Sequence, residues 1–88
     1  MVYVTAIHLV GGERHEHITE VRWLNPATNV TGSTSRAGMV DWIRGGGDAR
    51  VTDGIRTVQV GVVDAIPPFI RTHADGVWTD NLLALPKY

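Results

Sequence analysis

The stretch STSRAGMVDWIRGGG, residues 33–47, decides the fold, because it is the one place where the chain patterns as a helix. Thr34 or Ser35 stands where a short hydroxyl side chain can accept an orphan backbone N–H. Met39, Val40 and Ile43 follow at i, i+1 and i+4, an apolar face over about three turns, and Gly45 is placed for a left-handed stop. Gly38 inside the helix costs about 1 kcal/mol relative to alanine, so it implies close packing against a sheet or a weak helix.

Outward from this helix the pattern changes to strands. Upstream, Val2 to Leu9 is rich in β-branched and aromatic residues and ends at Gly11-Gly12, a first strand entering a turn. ERHEH, 13–17, reads as a polar loop or hairpin tip. In HITEVRWLNP, 17–26, Val21 and Trp23 alternate with Glu20 and Arg22, the signature of a half-buried second strand that Asn25-Pro26 ends. ATNVTGSTS, 27–35, supplies a short third strand or a turn around Val30.

Downstream, DARVTDG and RTVQVGVVD form two strands around Asp53-Gly54, with Val58, Val60 and Val62 as an inward row. AIPP, 65–68, interrupts the pattern, and FIRTHADGVW reads as a further strand bending at Asp75-Gly76. DNLLALPKY is a short apolar tail that Pro86 keeps from continuing as helix. The expectation is a single small α+β domain over residues 1–88, a mainly antiparallel sheet of about five or six short strands with one helix.

The totals narrow the function classes. A chain of 88 residues buries only about 60–65% of its unfolded surface, so oligomerisation would help it. Without cysteine it has neither disulfides nor a thiolate metal site. Eight basic against nine acidic residues, a net charge of −1, argue against a general phosphate-backbone binder. Seven of the eight basic residues are arginine, whose planar fork suits local anion recognition. The apolar run at the N-terminus is too short for a membrane span and lacks a basic start, which points to a cytoplasmic protein.

Among candidate sites, His15 and His17 lie at i, i+2 with His8 across the expected hairpin, so three imidazoles have a route to one place. Zinc would need Glu16 or His73 in addition, and a solvated loop is the simpler reading; no cofactor is expected. Glycines 45–47 follow the helix rather than precede it, where the dipole has the wrong sign for phosphate. There is no G-x-S-x-G elbow and no H-E-x-x-H, and Asp75 and Asp80 flank a turn whose own bonding explains them. The periodicity places Trp23 and Trp42 in the core and leaves Trp78 open to packing or to a partner.

The closing segment IRTHADGVWTDNLLALPKY concentrates the remaining polar chemistry. Arg71, Asp75, Asn81, Leu82, Leu85 and Pro86, together with STSRAGMVDWIRGGG and VQVGVV in order, make the chain resemble a family of short bacterial proteins classed as a domain of unknown function. The hairpin GGERHEHITEVRWLNPATN is longer than in that pattern. The resemblance implies one domain and supplies no activity, cofactor or catalytic residue.

Two readings of the closing segment stand side by side. In the first, Arg71 pairs with Asp75 or Asp80 to fix the final turn while Leu82, Leu83 and Leu85 cap an open end of the sheet. In the second, Arg71, His73, Trp78 and Asn81 line a polar pocket for an anionic ring-bearing ligand. The expected function is a non-catalytic interaction module that forms a homo-oligomer or binds another protein. The alternative is a binder of a nucleotide-like or other anionic small molecule around Arg71 and Trp78 or at a subunit boundary, and a third is an enzyme or metal protein using His8, His15 and His17.

Overall fold

Ser35 is both the last residue of a strand and the cap of the helix. In the computed structural model, which describes residues 1–88, its hydroxyl accepts the backbone N–H of Gly38 at 3.1 Å. The chain therefore passes from β3 (Val30–Ser35) into α1 (Arg36–Arg44) without a loop. Gly38 has the close packing its position implies: a Cβ there would lie 2.9 Å from the Thr34 methyl. The helix stop differs by one residue from expectation. Gly45 keeps φ at −81°, and Gly46 takes the left-handed turn at +102°, which a residue with a Cβ adopts only at a cost.

The remaining elements are β1 (Val2–Leu9), β2 (Ile18–Asn25), β4 (Ala49–Thr52), β5 (Thr57–Val63), β6 (Phe69–Ala74) and β7 (Val77–Thr79), with a short 3-10 turn at His15–His17. All seven strands join one sheet in the order β3-β2-β1-β4-β5-β6-β7. Every pairing is antiparallel except β1 with β4, where Val2 and Tyr3 run parallel to Ala49 and Arg50. The fold is α+β, with seven strands where five or six were expected. The difference arises at two places: 30–35 forms a full strand rather than a turn, and VWT pairs back on β6 as a strand of its own.

The β6–β7 turn is tight because Asp75 and Gly76 both have positive φ, 52° and 77°, the mirror-image geometry that suits a twisted hairpin. Pairing of β1 with β4 covers only the first residues of β1. The chain's last residues occupy the vacant flank: Ile7 N–H donates to the Pro86 carbonyl at 2.9 Å and Tyr88 N–H to the Ile7 carbonyl at 3.1 Å. Leu82, fully buried, and the half-buried Leu83 and Leu85 pack onto the core beneath this bridge.

One helix of nine residues, about 13 Å long, touches β2 and β3 on one flank and β5 and β6 on the other. A flat sheet would hold β3 and β6 about 24 Å apart, so the sheet curls around the helix. Inside lie Val4, Ile7, Val21, Met39, Val40, Val58, Val60 and Ile70, and Val62 completes the row anticipated on β5. Trp23 packs on the edge of this core, as its alternation implied. Trp42 does not: it sits on the shoulder of α1, 40% exposed, because Met39, Val40 and Ile43 already fill the inward face.

Candidate functional site

Strand alternation puts Ile70 and Thr72 of β6 inside and Arg71 and His73 on the outer face of the sheet. Arg71 turns along that face: its Nε–H donates to the Thr79 carbonyl at 3.1 Å and its NH2 group to Asp80 Oδ1 at 2.9 Å. Behind it, the buried Thr72 hydroxyl donates to the same carbonyl at 3.2 Å and accepts from the Thr79 hydroxyl at 2.7 Å. The ladder ends at β7, and these side-chain bonds continue it.

His73 stands opposite Trp78 in the register, with ring centroids 5.5 Å apart and the planes near perpendicular, an edge-to-face pair. Both lean over Gly61 of β5, where a Cβ would come 2.9 Å from the His73 ring and 3.4 Å from Trp78. Asp75 is spent on the turn, and Asn81 sits half-buried with its carbonyl accepting Ala84 N–H. The six residues singled out from the sequence thus lie along the β6–β7 hairpin and the turn that follows it, where Arg71 and Asp80 form a clasp and His73 and Trp78 a surface aromatic pair.

The three N-terminal histidines do not converge. His8 bonds through Nδ1 to the Tyr88 carbonyl and packs its ring 5.3 Å from that of Tyr88. His17 accepts the Arg14 backbone N–H at 3.1 Å. His15 is buried, its Nε2 without a hydrogen-bond partner and 3.9 Å from Asp80 Oδ1. Burial lowers its pKa, helped by the Arg71 charge and opposed by Asp80 and Glu16, so the ring is held neutral. No group of three histidine or acidic side chains is arranged to hold a metal ion.

The arginines are similarly committed. Arg50 forks onto Asp48 at 3.1 and 2.8 Å, a contact that lowers the Asp48 pKa and raises that of Arg50. Arg44 pairs with Asp64, Arg36 donates to the Glu16 carbonyl, and Arg22 lies 4.0 Å above the Tyr88 ring. With Arg71, five of the seven guanidinium groups already have internal partners.

Two features escape sequence reasoning. The first is the free edge of β3, six residues without a charge or proline, four of them exposed. The signal was present in VTGSTS, but whether a strand is central or at an edge depends on topology. The second is a groove of about 300 Å³ lined by Val2, Trp23, Asn25, Thr34, Met39 and Trp42. It exists because β2, β3 and α1 come together, and no local pattern encodes that.

The class of protein is thus a small α+β domain with one mixed sheet curled around one helix. The chain belongs to the protein family of unknown function DUF3892, whose family model matches residues 3–86. No curated protein and no solved structure shows a significant match to it. No helix is long and apolar enough to cross a membrane.

Proposed function

We propose that the domain is a non-catalytic interaction module that works in the cytoplasm as a homo-oligomer, most simply a dimer joined edge to edge through β3. The observation that carries this reading is the contrast between the two ends of the sheet. β7 is three residues long and its end is clasped by Arg71. β3 presents six uncharged residues at the edge, four of them exposed, with none of the lysines, prolines or bulges that normally keep an edge from pairing. Two copies related by a twofold axis would extend the sheet across β3, each donating and accepting the same set of bonds.

The same geometry weighs against an anion site at Arg71, because an incoming anion would have to displace Asp80 and the Thr79 carbonyl from the guanidinium. Native mass spectrometry of untagged protein tests both readings at once. The expected result is a dimer of bare chains, reduced to monomer in the double variant Thr31→Lys, Ser33→Lys, which places charge on exposed positions of the edge. A monomeric wild type, or a dimer indifferent to both lysines, overturns the edge reading. A retained small molecule would restore the ligand reading.

A further inference from the structure

We propose that the groove between Trp23 and Trp42 binds an uncharged, proline-rich segment of a partner protein in the polyproline II conformation. Both indoles are seated before any ligand arrives. A Cβ at Gly32 would lie 2.4 Å from Trp23 Cζ2, and one at Gly47 would lie 2.3 Å from Trp42 Cδ2, so each ring rests directly on glycine backbone. Trp23 is fixed further by its Nε1–H, which donates to Thr34 Oγ1 at 2.9 Å. The walls of the groove are therefore rigid aromatic surfaces, which lose little entropy on binding.

Hydrogen-bond donors remain available along the groove. Asn25 Oδ1 is taken by the Ala27 N–H at 3.0 Å, which leaves its amide NH2 to donate. Thr34 Oγ1 has accepted from Trp23 and keeps its O–H, and the Trp42 Nε1–H makes no hydrogen bond within the chain. No charged side chain lines the groove. It therefore asks for a neutral ligand rich in acceptors. A proline-rich segment meets both requirements, because its tertiary amides carry carbonyls and no N–H, and its rings pack flat on indole.

Shape separates this occupant from a small ring compound. Small-molecule sites enclose 70–90% or more of their ligand, whereas Trp42, one wall of this groove, remains 40% exposed. An extended chain passing along the groove needs no such enclosure, and polyproline II is already ordered before it binds. The groove shares Thr34, and the Gly32 seat of Trp23, with β3, but the oligomer is read by mass and the peptide by indole shifts, so the two are tested by different readouts.

The test follows the indole N–H resonances of nitrogen-labelled protein during titration with a short polyproline peptide, with a Gly-Ser peptide of equal length and with free indole as comparisons. Saturable shifts of Trp23 and Trp42 with polyproline alone, with Trp78 unmoved, are expected. Trp42→Phe keeps a ring on Gly47 but removes the donor, and should weaken binding about fivefold to tenfold. Absence of saturable shifts, an equal response to Gly-Ser, a response to indole alone, or unchanged affinity in Trp42→Phe would each overturn the proposal. Should that variant fail to fold, the wild-type shifts decide by themselves.

Discussion

Arg71 and Asp80 are joined at 2.9 Å across the open end of the β6–β7 hairpin, and the same guanidinium holds the carbonyl of Thr79 next to that aspartate. One side chain thus fixes the direction in which the chain leaves β7, and that direction carries Leu82 into the core and Pro86–Tyr88 to the flank of β1. The guanidinium donors of Arg71 are thus turned toward the Thr79 carbonyl and the Asp80 carboxylate that close the fold.

The two halves of that clasp should differ in weight. The Asp80 side chain is 76% exposed, so Asp80→Asn should cost under about 1 kcal/mol, as exposed ion pairs do. Arg71→Ala also removes one of the two side-chain donors to the Thr79 carbonyl, leaving the Thr72 hydroxyl, and strips the aliphatic stem from the sheet, and should cost about 1–2 kcal/mol. Urea unfolding of both single variants and of the double variant gives the coupling. An arginine variant no less stable than the asparagine one would show that the backbone bond contributes nothing.

His15 gives the domain a definable response to acid. Its pKa is lowered in the folded protein, by burial first and by Arg71 second, while in the unfolded chain it returns to about 6.5. Below that value the unfolded chain takes up a proton that the folded ring refuses, so the stability His15 contributes is complete above pH 6.5 and is lost as pH falls toward the folded pKa. Urea midpoints measured across that interval should fall in the wild type and fall less in His15→Leu. Parallel curves would place the acid sensitivity in other groups.

Much of this architecture was readable because it is written locally. The cap at Ser35, the inward valines of β5 and the turn at Asp75-Gly76 each depend on a few adjacent residues, and each appears where the pattern put it. What local pattern could not supply was neighbourhood. Trp42 shares its helix with three better-placed apolar residues and is pushed to the shoulder. His8, His15 and His17 are close in sequence yet separated by the Tyr88 contact, the core and the Arg14 turn. The sequence of β3 reads as either a short strand or a turn because it is polar, and it is polar because it lies at an edge.

That polarity without charge leads to a last prediction, on salt. A twofold pairing of β3 brings Thr31, Gly32 and Ser33 of one copy opposite the same segment of the other, so no charges meet within the paired strands. Dimerisation driven by backbone bonds across such an edge should be nearly independent of ionic strength, since there is little Coulomb energy to screen. Thr31→Lys with Ser33→Lys reverses this by setting like charges against each other across the axis, a destabilising arrangement on adjacent strands. Raising salt shortens the Debye length from about 10 Å at 0.1 M to 3 Å at 1 M, and should restore part of the lost association in the variant alone. Sedimentation equilibrium of both proteins at low and high salt makes the comparison. A wild-type dimer that dissociates as salt rises would instead locate the interface on the charged outer face, around Arg50 and Arg71.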